Sequence, residues 1–257
     1  MTPATDPDAS ATFERLTSLD GGTPTLIEGL PGHGLVAAIA VGQIREQLGL
    51  EHHGNIRSSA FPPVATFADG LVQDLVRVYA GTEPDVLTLQ SDLALPPSSW
   101  VPLAECVIEQ CAEEFDRAIF LTGVPAESES RLGDVAGVGT TPAMRDELDA
   151  AGVDLASDPG LVGGVTGALV ERCYHEGVPA MVLVVRAHPF LPDPGAAQHV
   201  IEEALEPLVE FDIDTTELRE QADEISARMQ QLSEQYEQME RERQGVADQS
   251  RGPSMFQ

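Results

Sequence analysis

The sequence has 257 residues, 42% of them hydrophobic, with 43 Asp+Glu against 14 Lys+Arg for a formal net charge of -29. That is the composition of a folded chain, one large domain or one domain with an appendage. A surface this acidic repels a phosphate lattice, which excludes nucleic-acid binding through a basic face.

The first dozen residues, MTPATDPDASAT, bring Pro, Asp and Ser without a basic segment or an apolar core. Residues 1–20 are therefore predicted as a flexible terminus, neither signal peptide nor anchor. No uninterrupted apolar run approaches the ~18 residues that a membrane span needs, so a soluble protein without a membrane partner is expected. From 21 to 214 the chain alternates strand-like and helix-like runs. Thr25–Glu28 is a short strand, followed by a glycine-rich turn and a helix over Leu35–Leu48. Gly54–Ser59 and Val72–Tyr79 read as strands with Asp69-Gly70 as the turn between them. Asp85–Leu89 is a buried strand, Val101–Phe115 a helix and Ala118–Thr122 another strand, before a loop rich in Glu, Ser and Gly. Helices follow at Pro142–Ala151 and Val165–Glu176, then the apolar strand Ala180–Arg186 and a helix over Ala196–Leu208. Apolar strands separated by helices predict an α/β sandwich around a mostly parallel or mixed sheet.

Beyond Asp214 the chemistry changes. Leu218, Ala222, Ile225, Met229, Leu232, Tyr236 and Met239 recur at intervals of four and three, an a/d seam set among Glu, Gln and Arg. Residues 215–244 are predicted as a coiled-coil helix whose seam meets another helix and promotes oligomerisation. The alternative is a helix docked on its own domain, although an a/d-only stripe is narrower than docking usually shows. Residues 245–257 return to Asp, Ser, Gly and Pro as a flexible tail, yet finish on Met255-Phe256-Gln257.

Candidate chemistry is sparse. Gly32, Gly34 and Ala37 fit G-x-G-x-x-A between a strand and a helix, where glycines let pyrophosphate approach. The acidic ribose partner is represented only by Glu51, poorly placed before His52-His53, and a tight turn packed on its neighbours is the plainer reading. His33, inside the turn, could cap or contact an anion, although a turn histidine without function is the plainer reading. With no lysine anywhere, a P-loop is excluded; no G-x-S-x-G or C-x-x-C occurs. Cys106, Cys111 and Cys173 are too few for a disulfide framework and point to a reducing cytoplasm. His52 and His53 diverge on a strand and are expected at a solvated edge. Asp92, Glu127, Glu129 and Asp134 follow strand-like runs, as loop acids do by chance in so acidic a chain. No catalytic residue, cofactor or metal site is assigned. Carboxylate spread along the chain with arginine as the only strong base matches adaptation to a salt-filled cytoplasm, where a Debye length of ~3 Å at molar salt removes self-repulsion.

The ordered loops LIEGLPGHG (Leu26–Gly34), DGL (Asp69–Leu71), DVLTLQSD (Asp85–Asp92), GVTGAL (Gly164–Leu169) and PDPGAA (Pro192–Ala197) resemble, in the same order, the archaeal and bacterial proteasome-assembly-chaperone family, relatives of the second eukaryotic proteasome assembly chaperone. The resemblance covers roughly Leu26 to Asp223. It implies a phosphorylase-like α/β core without catalysis, a homo-oligomer, and ATP-independent binding to the proteasome core particle for assembly or activation. Such proteins often dock through a C-terminal hydrophobic–tyrosine–any-residue motif, which resembles Met255-Phe256-Gln257 except that phenylalanine stands for tyrosine. The alternative is a nucleoside- or nucleotide-binding protein or enzyme that uses the Gly29–Ala37 turn.

Overall fold

Apolar strands with no polar face have to be covered on both sides, and the computed structural model, which describes residues 9–19, 22–229 and 231, does this with helices. In chain order the strands are β1 (Ala11–Arg15), β2 (Thr25–Gly29), β3 (Glu51–Ser58), β4 (Thr66–Ala68), β5 (Leu71–Gln73), β6 (Val76–Thr82), β7 (Asp85–Ser91), β8 (Arg117–Pro125), β9 (Val135–Gly139) and β10 (Ala180–Ala187). The helices are α1 (Val36–Gln47), α2 (Trp100–Gln110), α3 (Pro142–Ala150), α4 (Gly164–Glu176) and α5 (Pro194–Val200), which continues through a π turn, Ile201–Leu205, into α6 (Glu206–Val209). Eight strands form one mixed sheet in the order β1-β3-β6-β7-β2-β8-β10-β9, and β4 pairs with β5 alone. The four at the centre, β7, β2, β8 and β10, are mutually parallel; the flanking pairs are antiparallel.

The strand period of two divides neighbouring residues between two cores. Ile27, Ile119 and Leu183 pack with α1, α3, α5 and α6 on one face, through Ile44, Leu148 and Ile201. Leu26, Phe120 and Val182 face the other way, onto α2 and α4 through Leu103 and Leu169. The expected α/β architecture with a mixed sheet is therefore present, with helices on both faces.

Several boundaries differ from expectation. Residues 11–15, inside the segment expected to be flexible, form edge strand β1, paired antiparallel with β3. Its backbone is held from α2: Phe13 N–H donates to Gln110 Oε1 at 2.9 Å, and the Gln110 amide donates to the Ala11 carbonyl at 3.2 Å. The Gly-rich run of β9, expected in a loop, completes the opposite edge against β10. Val72–Tyr79, expected as one strand, is divided between β5 and β6. Asp69-Gly70, with φ of 52° and 77°, instead closes the small hairpin β4–β5, both central residues being left-handed as a type I′ turn requires.

Residues 216–229 are helical. Asp214 caps this helix by accepting Thr216 N–H at 2.9 Å, and its backbone is held by the amides of Gln43 and Gln47 on α1. Leu218, the first residue of the predicted seam, is 3% exposed and closes the α1-side core with Phe211 and Ile213. It is committed to its own domain, a correction to its assignment as an oligomer contact. Ala222 and Ile225 are half-buried and Met229 is exposed. Leu232, Tyr236, Met239 and the tail with Met255, Phe256 and Gln257 lie outside the described residues. No helix among the described residues is long and apolar enough to cross a membrane.

Candidate functional site

Loops leaving the carboxyl ends of parallel strands meet at one sheet edge, where α/β proteins place their sites. Here α1 and α2 follow the adjacent strands β2 and β7 and go to opposite faces, so the ends of β2 and β7 flank the topological switch.

The residue that organises this edge is Glu28, fully buried within β2. Its Oε1 accepts Leu30 N–H at 2.9 Å; its Oε2 accepts Leu121 N–H of β8 at 3.3 Å and the Thr166 hydroxyl of α4 at 3.4 Å. One carboxyl thus joins the glycine turn, the neighbouring strand and the first turn of a helix on the second face. Burial outweighs those donors and pushes its pKa up to about 8, so near neutrality the group is mostly protonated.

The glycine turn runs through a single 3₁₀ turn, His33–Leu35, into α1. Gly34 has φ +64°, and a Cβ there would lie 2.9 Å from the Ala187 Cβ. Its carbonyl accepts Asp193 N–H at 2.8 Å. A Cβ on Gly123 would overlap the His33 carbonyl. Of the glycines that fit a dinucleotide pattern, Gly34 therefore serves close packing on the end of β10, the His33 carbonyl lies against Gly123 of β8, and Gly32 has open space where a Cβ would lie. His33 keeps a buried Nε2 without a hydrogen-bond partner. Beyond β10, Asp193 accepts His188 N–H at 2.7 Å and Ala196 N–H at 2.9 Å, capping α5.

The loop acids are engaged in structure or solvated. Asp92 accepts the Arg77 guanidinium fork at 2.8 and 2.7 Å, which holds its carboxyl below the usual range. Asp134 pairs with Arg131, while Glu127 and Glu129 are exposed. His53 corrects an expectation: a bulge between His52 and Gly54 turns it fully inward, where Nε2 meets Glu114 Oε2 at 2.7 Å and Nδ1 meets Thr17 Oγ1 at 3.0 Å. Arg15 also pairs with Glu114, so the cluster ties the end of β1 to β3 and to the segment after α2. The three cysteines are free and buried, and burial pushes the Cys106 and Cys173 thiols up to about 12, which keeps them unreactive. Beside the loop acids the switch edge turns apolar side chains outward: Leu35, Phe67, Leu71, Val72, Leu161 and Phe190 are all exposed.

The PAC2 family model matches residues 26–233. Two uncharacterized proteins of Methanocaldococcus jannaschii are each 27% identical to this chain. One aligns over 230 residues, 88% of this chain and 92% of the relative; the other aligns over 202 residues, 77% and 78%. Among solved structures, Pyrococcus furiosus PbaA, an archaeal homolog of proteasome-assembly chaperone, superposes with a TM-score of 0.75 at 22% identity, covering 94% of this chain and 100% of that one. Pyrococcus furiosus PbaB, an archaeal proteasome activator, gives 0.75 at 20% identity, covering 87% and 99%. These likenesses establish a shared fold. With the family match running from the strand that carries Glu28, through both helical layers, into the C-terminal helix, the chain belongs to the PAC2 family.

Proposed function

We propose that this chain is a non-enzymatic, homo-oligomeric proteasome assembly chaperone or ATP-independent activator that binds the proteasome core particle. The observation that carries this reading is the pairing of PAC2 membership with a fold shared by an assembly-chaperone homolog and a proteasome activator. In it, residues 21–214 are the phosphorylase-like α/β domain, residues 215–244 form a coiled-coil helix that self-associates through its seam from Ala222 onward, and residues 245–257 are a tail that docks by Met255, Phe256 and Gln257. The protein works in a salt-filled cytoplasm, to which its charge is suited. The nucleotide-binding alternative has less support, because the Gly29–Ala37 turn is packed down on Ala187 and Gly123.

The test is co-sedimentation with core particle in molar potassium chloride, with peptide hydrolysis as a second readout. Burying one aromatic side chain contributes roughly 1.5–3 kcal/mol, so Phe256→Ala is expected to weaken binding about ten- to a hundredfold. Deleting Met255–Gln257 abolishes it. Wild-type protein that does not bind overturns the function; truncated protein that binds like wild type overturns the tail's role alone.

A further inference from the structure

Exposed apolar side chains scattered singly need no explanation, but a gathered set does. Phe67 (77% exposed), Leu71 and Val72 lie on the β4–β5 hairpin, Leu161 (90%) precedes α4, Phe190 (88%) follows β10, and Leu35 is in the glycine turn. All four segments belong to one edge of the sheet. The hairpin leads into β6 at Val76, which pairs with Ser91 at the carboxyl end of β7. Leu35 follows the end of β2, Phe190 follows the end of the parallel strand β10, and the α4 turn after Leu161 reaches Glu28 through Thr166.

These side chains are held out by ordered structure. The hairpin has its two-residue turn and a Thr66 hydroxyl bond to the Gln73 carbonyl at 2.9 Å. Its root is clamped at Asp74, whose carboxylate takes Arg57 at 2.9 and 2.8 Å and whose carbonyl takes Arg77 at 2.6 Å. The Phe190 loop is pinned by His188, whose Nδ1 accepts both Phe190 and Leu191 N–H at 3.2 Å. Ordered apolar anchors lose little entropy on binding.

Area names the occupant, and the local charge permits it. Residues 59–73 contain one acid, Asp69, and residues 159–166 and 187–192 contain none, in a chain where 43 of 257 residues are acidic. Between those segments the loop after β8 exposes Glu127 and Glu129 at the same edge, and at molar salt a Debye length of ~3 Å lets two copies, each at -29, meet here despite those carboxylates. The six side chains expose roughly 800 Å² together, taking roughly 150–250 Å² for a whole aromatic residue. A stable interface takes about 800 Å² from each partner. The hairpin (beside β6) and the Phe190 loop (beside β10) are separated by four strand spacings, about 19 Å, and both leave the sheet in the same direction. A two-fold axis between them brings each onto the other in a second copy, as a self-complementary interface requires.

We propose that this edge is a two-fold contact between two copies of the chain, the β4–β5 hairpin of one seated against the Phe190 and Leu161 loops of the other, and reciprocally. This rests on the homo-oligomer reading above and gives it a surface distinct from the C-terminal helix.

The experiment measures self-association by sedimentation in molar salt for wild type, Phe67→Asp and Phe190→Asp, with circular dichroism as the folding control. Both aspartates are expected to weaken association at least tenfold with an unchanged spectrum. Single-cysteine variants Phe67→Cys and Phe190→Cys, mixed under a mild oxidant, should cross-link to each other in preference to themselves; the buried native thiols do not compete. A monomeric wild type overturns both this contact and the homo-oligomer reading. An assembled wild type whose association is unmoved by either aspartate, with no preferential mixed cross-link, overturns this contact alone. So does loss of core-particle binding by the aspartate variants with assembly intact, since the edge would then face the core particle.

Discussion

Glu28 keeps a proton because burial strips water from its carboxyl, while its three donors, two of them at 3.3 and 3.4 Å, return only part of that solvation. The native state therefore holds a proton that the unfolded chain releases. With the folded pKa raised to about 8, the contribution to stability is greatest below the ordinary carboxyl value and falls as pH rises through about 8. Glu28→Gln keeps the shape and stays neutral. Urea melts from about pH 5 to about pH 9 should show the wild type losing ground to the variant by a few kcal/mol, roughly, with the gap closed at the acid end. Parallel profiles would mean that the native carboxyl is already ionised. An acid inside the apolar run TLIEG is visible in the sequence as an oddity. Its surroundings are not, because Leu121 and Thr166 lie 93 and 138 residues away. The same holds for His53: that adjacent histidines diverge on a strand follows from the pleat, but which one turns inward depended on a bulge and on Glu114, 61 residues on.

At the scale of elements, strong local patterns survived and weak ones did not. Apolar runs of four and six residues, Ala118–Leu121 and Ala180–Val185, became β8 and β10, and the shorter runs Leu26-Ile27 and Val86-Leu87 became β2 and β7, whereas β1 and β9 depend on the strands beside them and form the edges through long-range backbone pairing. Asp69-Gly70 was legible as a turn, though the strands it joins form a separate two-stranded hairpin rather than part of the main sheet. The C-terminal helix shows the limit of periodicity most clearly. Its spacing is uniform, yet its first seam residue is core and later ones emerge progressively, from Leu218 at 3% exposed to Met229 at 43%. Substitutions along it should therefore separate. Leu218→Asp puts a charge into the α1-side core and is expected to cost several kcal/mol of domain stability, read as a large fall in Tm. Ile225→Asp, half-buried in the single chain, should leave Tm nearly unchanged at low protein concentration and weaken self-association instead. Equal loss of Tm in both would place the whole helix on its own domain.

Over the whole molecule the net charge of -29 is a source of self-repulsion that salt screens. Self-repulsion among carboxylates opposes a folding free energy of only ~5–15 kcal/mol, and molar salt shortens its range to ~3 Å. Tm measured from dilute buffer to molar potassium chloride is expected to rise by ten degrees or more, on the order of several kcal/mol for a domain of this size. A flat dependence would show that the charges are already compensated by pairs such as Arg77–Asp92 and Arg57–Asp74. The sequence by itself determined the class of fold, the helices and strands of the centre, the acidic surface and the motif order, because each is a property of composition or of residues adjacent along the chain. Only the tertiary structure decided the order of strands in the sheet, the burial of Glu28, His53 and Leu218, and the gathering of Phe67, Leu161 and Phe190 at one edge. Those depend on contacts between distant parts of the chain, and a pattern of neighbours carries no record of which distant segments will meet.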